Sequence, residues 1–380
     1  MIKVEIHTLF QYLLDTTTAQ PEAIVGLSLA RSPTLGDFMA DLDPALPLDW
    51  NQRSFLGLPE LRAHVIAQAG LTGLCTPDDV LITAGAAEAN YLALRQLLNP
   101  GDGIVTETPG WPQAAVLARA IGAKLTLVER FESEGWRLSL DRLAAAITPR
   151  TRVIFLSNPN NPTGQLLSGS ELTAIAGLAD KVGAWLIVDE VYAGLEWSGP
   201  DYSGTRAPSI AGIYPRGITT GSVSKALGLQ GLRTGWMICR DRPLLMDAVI
   251  LRENSSEIMN ILGEVIAEVA LRPDRLAAAL AIARSEGRAN LDRLDAFIAD
   301  QPGLSWVRPD AGLIGLARLP DAMLSDTFAR RLLAPPYRTF LIPGLAYDQP
   351  QHIRLGVGGG TAVELDKGLS RMAQLLADWG

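Results

Sequence analysis

The sequence predicts an α/β protein: a mostly parallel sheet covered by helices on both faces, joined to a smaller α+β lobe. Three observations predict it. Short runs that are apolar throughout alternate with amphipathic stretches from about residue 78 onward. Such runs suit strands buried on both faces, and a helix between successive strands makes their pairing parallel. Finally, around residues 255 to 298 the character changes to long helical sequence, and shorter strand-like runs follow. In chain order, Val80 to Ile82 reads as a strand followed by a helical run to Leu98. Ile104 and Val105 precede a helix over Gln113 to Ala120, and Arg152 to Leu156 precede one over Glu171 to Lys181. Ala184 to Val188, Gly217 to Thr220 and Gly235 to Cys239 are further strands. Arg275 to Phe297 reads as helix, while Phe340 to Gly344 and Ile353 to Gly356 read as strands or strand ends of the second lobe. The expected division is a large domain over 46–270 and a small one combining 1–45 with 271–380.

A chain of 380 residues, 48% hydrophobic and 19% charged, is long enough for a large core and two lobes. Its formal charge of −8 argues against nucleic acid or an anionic membrane as partner, because both require a basic face. Small-molecule chemistry fits better. No run of about 18 apolar residues occurs, and Met1 to His7 lack a basic region followed by an apolar one, so a cytoplasmic location is expected. Cys75 and Cys239 are distant in sequence and flanked by apolar residues, which suits buried free thiols. His7, His64 and His352 are scattered, with no metal-ligand spacing.

The most informative local feature is Lys225 in Gly221-Ser222-Val223-Ser224-Lys225-Ala226-Leu227-Gly228. Lysines are scarce, at positions 3, 124, 181, 225 and 367, whereas arginines are plentiful. An amine that can lose its proton can form a Schiff base, and a guanidinium cannot. Ser222 and Arg233 in the same stretch are suitable partners for a dianionic phosphate. Gly85-Ala86-Ala87 lies between a strand and a helix, where backbone N–H groups at the helix start can cradle phosphate. Asp189 ends the apolar run Trp185 to Val188, which projects its carboxylate from the end of a buried strand, and Tyr192 follows three residues later. The loops after the strands hold these motifs, and open α/β sheets bind ligands at the carboxyl ends of their strands.

With Asn158-Pro159-Asn160-Asn161-Pro162-Thr163-Gly164, the order and spacing of these segments resemble the class I/II aminotransferase family of fold type I enzymes, over nearly the whole chain. The resemblance implies pyridoxal 5'-phosphate as cofactor and an α-amino acid as substrate. Lys225 is then the Schiff-base lysine and proton shuttle, and Asp189 the partner that keeps the pyridine nitrogen protonated. Tyr192 and Asn161 contact the cofactor's phenolic oxygen. Gly85, Ala86, Ala87, Ser222, Ser224 and Arg233 bind around the phosphate. Trp111, in Pro109-Gly110-Trp111, stacks on the pyridine. Arg354, ten residues after Gly344, grips the substrate α-carboxylate, and Asn161 also faces the substrate. The resemblance further implies a homodimer with its active sites at the subunit boundary.

Two departures from the family pattern bear on the reaction. Many relatives carry a tyrosine shortly before the position of Gly57 that reaches the neighbouring subunit's cofactor phosphate. Here Trp50-Asn51-Gln52-Arg53-Ser54-Phe55 has none, which leaves Asn51, Gln52 or Arg53 to replace the contact. Gly26 to Thr34 also lack the usual glycine-rich form. In addition, Gly228-Leu229-Gln230-Gly231-Leu232-Arg233-Thr234-Gly235 resembles a capreomycidine synthase-like subset, which implies elimination and ring closure on a hydroxylated arginine-type substrate. Transamination is the leading expectation, and elimination or cyclisation on the same cofactor is the alternative. A non-catalytic regulator on the same fold is disfavoured because the segment ahead of the domain has no room for a helix-turn-helix. A nicotinamide-dependent dehydrogenase lacks its Gly-x-Gly-x-x-Gly after the first strand.

Overall fold

The computed structural model describes residues 4–49, 54–198, 206–358 and 361–379. Asn51, Gln52 and Arg53, the candidates for the missing tyrosine contact, lie outside the described residues. Along the chain the elements are α1 (Thr8–Asp15), β1 (Ala23–Ile24), α2 (Pro59–Gln68), β2 (Val80–Thr83), α3 (Ala86–Leu97), β3 (Gly103–Thr108), α4 (Gln113–Ile121), β4 (Lys124–Glu129) and α5 (Leu140–Ala146). Then come β5 (Thr151–Ser157), α6 (Gly169–Val182), β6 (Trp185–Asp189), α7 (Ile210–Ile213), β7 (Gly217–Ser222), β8 (Gly235–Cys239), α8 (Arg242–Glu253), α9 (Ile261–Ala270) and α10 (Pro273–Asp300). The C-terminal part holds β9 (Ser305–Trp306), β10 (Ile314–Arg318), α11 (Ser325–Leu333), β11 (Thr339–Phe340), β12 (Ile342–Pro343), β13 (His352–Gly356) and α12 (Ala362–Ala377).

The principal sheet has seven strands in the order β2-β8-β7-β6-β5-β3-β4. Its pairings are parallel except those of β8, which runs antiparallel to both β2 and β7. Successive side chains on a strand point to opposite faces, and this alternation sorts the core. Phe155, Ile187 and Ile218 pack with Leu92, Ala93 and Leu245 of α3 and α8. Ile154, Leu156, Leu186 and Val188 pack on the other face with Leu172 and Ile175 of α6 and Ile210 of α7. Both faces are dry, which is why the strands read as unbroken apolar runs.

The same alternation positions the chemistry. Ser157 lies two residues beyond Phe155, Asp189 two beyond Ile187 and Thr220 two beyond Ile218, so all three face α3. Ser157 pairs with Asp189, and Asp189 with Thr220, in the strand register. Between β3 and β5 the strand order reverses, and the loops after these two strands carry Trp111 and Asn161. Such a reversal opens the crevice in which α/β sheets bind ligands.

A second sheet of four antiparallel strands, β12-β13-β10-β9, lies in the C-terminal part. The stretch Phe340 to Gly344, expected as a strand or strand end, is divided between two short strands. β11 pairs in parallel with β1, and β12 pairs with β13, so the chain changes sheets at Leu341. Tyr12, Val25 and Ala30 from the N-terminal segment join the core of this part, with Leu291, Phe328, Leu355 and Met372. Phe38, by contrast, packs with Leu61, Val65 and Ile82 against the principal sheet. Cys75 and Cys239 are buried free thiols. Among the described residues no helix is long and apolar enough to cross a membrane.

Candidate active site

A cavity of about 310 Å³ opens at the carboxyl ends of the principal strands. Eleven of the twelve residues expected to form the site line it: Ala86, Ala87, Trp111, Asn161, Asp189, Tyr192, Ser222, Ser224, Lys225, Arg233 and Arg354. The twelfth, Gly85, supports it from behind. Gly85 is the N-cap of α3, with φ +80°, and a Cβ there would fall 2.5 Å from Arg233 Nη2. The absence of a side chain therefore lets the guanidinium close over the first turn of the helix. A Cβ at Gly235 would likewise fall 2.5 Å from the Gly85 carbonyl carbon, so β8 and the helix start approach as only glycine permits. The resulting concavity combines the N-terminus of a 12-residue helix, two serines and an arginine, a donor set suited to a phosphate.

The Asn-rich loop after β5 divides its work among its three asparagines. Asn158 accepts from Leu167 N–H at 2.8 Å, and Asn160 accepts from Thr163 N–H at 3.1 Å and from its hydroxyl at 2.6 Å. These bonds lock the loop. Asn161 is buried at the cavity wall, and its Oδ1 has no hydrogen-bond partner. Across the cavity the Tyr192 hydroxyl is also buried and, although Ser28 is near, makes no hydrogen bond of ordinary geometry. Buried polar atoms are almost always satisfied, so two unpaired ones lining one cavity mark where a polar ligand belongs.

Asp189 accepts from Val191 N–H at 3.1 Å and from Asn90 Nδ2 at 2.8 Å. Burial pushes its carboxyl up to about 6, against the lowering effect of those two bonds. Adjacent Glu190 adds to the rise, and Lys225 opposes it. Lys225 lies with its Nζ 5.8 Å from the centre of the Tyr192 ring. Burial and the nearby positive charge of Arg354 bring its amine down to about 8, with Asp189 acting in the other direction. Desolvation thus moves a carboxylate and an amine towards neutrality from opposite sides. An amine that ionises near 8 has an appreciable unprotonated fraction in mildly alkaline solution, which a nucleophile requires.

Arg354 enters from β13. Its Nη1 donates to Tyr347 Oη at 2.6 Å and its Nη2 to the Gly26 carbonyl at 3.0 Å, while its Nε, buried, has no partner. The guanidinium is held in place with donor capacity left over. Sequence reasoning did not identify Tyr347 or Ser28, or the apolar wall of Leu9, Leu13 and Ile342. It also missed Asn90 and Gln113. For Asn90 there was a signal: a polar residue on the otherwise apolar face of α3, between Ala89 and Ala93, is fully buried.

Residues 53–372 match the model of the family described as aminotransferase class I and II. The chain belongs to the class I and II aminotransferase family. Among relatives of this aminotransferase is the arginine–pyruvate transaminase of Pseudomonas aeruginosa, 31% identical over 288 residues that make up 74% of this chain and 70% of the relative. A crystal structure of a pyridoxal-phosphate-dependent aminotransferase from Streptococcus suis superposes with a TM-score of 0.89 at 26% identity, covering 100% of this chain and 99% of the other. The pyridoxal-phosphate-dependent cyclase OrfR superposes with a TM-score of 0.87 at 25% identity, covering 100% and 98%. The aminotransferase is thus a pyridoxal-phosphate-dependent enzyme of fold type I. Its own cavity fits that cofactor: the phosphate-sized cradle at Gly85 to Ala87, the unpaired Asn161 and Tyr192 atoms, and a carboxylate and an amine on the same wall are the groups such a molecule engages.

Proposed function

We propose that this aminotransferase moves the amino group of an α-amino acid with a neutral side chain to a 2-oxo acid. The observation that carries the reading is the presence of Lys225, Asp189 and Arg354 in one cavity. Pyridoxal phosphate, when bound, supplies an aldehyde that condenses with amines and a ring that accepts the electron pair of a breaking bond at Cα. Ala86 and Ala87 N–H, Ser222, Ser224 and Arg233 hold its phosphate. Asp189 would hold a proton on the ring nitrogen, Tyr192 and Asn161 would engage the phenolic oxygen, and Trp111 would cover the ring. Lys225 would anchor the cofactor through Nζ and, as a free amine, would take the Cα proton on that nitrogen and deliver it to the former aldehyde carbon, the shift that amino transfer requires. Arg354 clamps the α-carboxylate, a planar fork matching a planar anion.

Charge supports the neutral side chain. Among the described residues lining the cavity, Asp189 is the single carboxylate, and its partner is the ring, so no acid is left for a cationic substrate. Leu9, Leu13 and Ile342 line the cavity and offer an apolar surface. The reading also assigns cofactor binding to residues 46–270, and the carboxylate clamp to a smaller domain of 1–45 and 271–380. A homodimer fits the exposed Met246 and Ile250, one turn apart on α8. A cytoplasmic location fits the two buried free thiols.

A second reading, cyclisation of a hydroxylated arginine-type amino acid, draws on the likeness to OrfR over the whole chain and on the motif Gly228 to Gly235. Mass spectrometry separates the two. The loaded enzyme is incubated with a panel of neutral, acidic and basic amino acids that includes hydroxylated arginines, and a 2-oxo acid acceptor. Equimolar keto acid and newly aminated acceptor, from neutral donors above all, are the expected outcome. A ring-closed product that has lost water, with no aminated acceptor, would overturn transamination in favour of the cyclase.

A further inference from the structure

Asn90 has no part in the roles assigned above, yet its position is unusual. Its side chain lies fully buried on α3, one turn after the helix start that forms the phosphate cradle. Four residues of helix rise about 6 Å, so one rigid element presents backbone donors at its tip and an amide farther along the same face. The amide is saturated. Asn90 Nδ2 donates to Asp189 Oδ2 at 2.8 Å and to Gln113 Oε1 at 3.2 Å, and Asn90 Oδ1 accepts from the Thr220 hydroxyl at 2.7 Å. Gln113 Oε1 also accepts from Trp111 Nε1 at 3.2 Å, and Gln113 Nε2 donates to the Ala87 carbonyl at 2.7 Å. Every donor in the chain faces an acceptor, so neither amide can turn over without breaking two bonds. Thr220 is also the strand-register neighbour of Asp189.

We propose that Asn90 is a positioning residue that aims the Asp189 carboxylate at the cofactor ring and, through Gln113, ties that carboxylate to Trp111 and to the first turn of α3. A leucine of similar volume would pack in its place, but the carboxylate would lose its side-chain donor. A buried carboxylate with one fewer hydrogen bond ionises less readily. The other charged or titratable groups facing Asp189 are Lys225, Glu190 and Tyr192, and Asn90 is hydrogen-bonded to Asp189, Gln113 and Thr220 instead, so their influence is common to all variants. The inference rests on the proposed role of Asp189, and the experiment separates the two.

Pyridoxal phosphate affinity is measured by tryptophan fluorescence from pH 5 to 9 for wild type, Asn90→Leu, Asp189→Asn and the double variant. The wild-type affinity falls on acidification through an inflection near pH 6 as Asp189 takes up a proton, apart from the titration of Lys225 near 8. Asn90→Leu moves that inflection up by about one pH unit, with about a tenfold loss of affinity below it, the scale of a hydrogen bond to a charged group. Asp189→Asn removes the inflection, and the double variant adds nothing to it. If Asn90→Leu does not fold, Thr220→Val, which removes the bond that fixes Asn90 Oδ1 and so loosens the amide, shifts the inflection the same way by less. An inflection left in place by Asn90→Leu, or by Thr220→Val where the first variant does not fold, overturns the inference while leaving Asp189 its role. So does an equal further loss in the Asp189→Asn background, which would mark Asn90 as a packing residue only. An inflection near pH 6 that survives Asp189→Asn removes the role of Asp189 and the inference together.

Discussion

The two walls of the cavity are built on different principles. The wall on the principal sheet consists of strand ends and their loops, and its ionisable groups are driven towards neutrality by burial: Asp189 up to about 6 and Lys225 down to about 8. The wall on the second sheet holds its charge differently. Arg354 is as buried as Asp189, each about 5% exposed, but its guanidinium is fixed by Tyr347 and the Gly26 carbonyl. An arginine cannot yield its proton at any ordinary pH. Apart from Arg233 at the phosphate cradle, one wall therefore carries groups poised to exchange protons, and the other a permanent charge poised to bind. The difference teaches where chemistry and recognition divide in this molecule.

The comparison breaks most completely at Lys225. Lys225→Ala removes the only amine on the principal wall among the described lining residues, and turnover is expected to fall by at least about a thousandfold, while the cofactor is still held without covalent attachment. Borohydride reduction followed by peptide mass analysis checks the attachment. Near-normal turnover in this variant would remove the mechanism proposed here.

On the opposite wall, Arg354→Lys keeps the charge and loses the fork. An increase of about tenfold to a hundredfold in KM for the amino acid, with a smaller change in kcat, is expected from steady-state kinetics. A fall in kcat with KM unchanged would place Arg354 with the reacting groups and erase the distinction between the walls.

The smallest effect is on stability and reports on the principal wall alone. Asp189 ionises at about 6 in the folded chain against an ordinary value near 3.8. Because the folded value is raised, burying the carboxylate costs nothing below about pH 4. The penalty grows between 3.8 and 6 and stays constant above. Two pH units correspond to about 3 kcal/mol. Asp189→Asn, free of cofactor, should thus be more stable than wild type above pH 6 by up to about 3 kcal/mol, reduced because its amide cannot accept both existing bonds. The gain should vanish near pH 4. Urea unfolding across that range measures it, and a gain of equal size at every pH would rule out ionisation as the cause.

The principal wall was largely legible in the sequence. Runs such as Trp185 to Val188 announce a doubly covered strand, and a carboxylate at the end of such a run has only the loop side of the sheet to enter. A rare lysine between serines and glycines carries a similar message. The second wall was much less legible. Arg354 could be picked out by its distance from Pro343 and Gly344 within a familiar pattern, but nothing near Tyr347 or Ser28 signals that both would converge on it from separate segments. Phe340 to Gly344 reads only as a strand or strand end, because local apolarity does not show that its two halves pair with different sheets. Asn90 left a trace as an isolated polar residue among buried alanines and leucines, without a clue to its partner 99 residues away.

What the sequence determined by itself is periodic or local. Apolar runs, turn residues at strand ends and the side-chain chemistry of Lys225, Asp189 and Arg233 follow from a few consecutive residues, because alternation and loop geometry act at that range. Only the tertiary structure decided which of these groups share a cavity, how far burial shifts their ionisation, and which distant side chains saturate them. Desolvation and hydrogen bonding depend on what surrounds an atom in space, and for Asp189 those surroundings come from α3, β7 and the loop that carries Lys225.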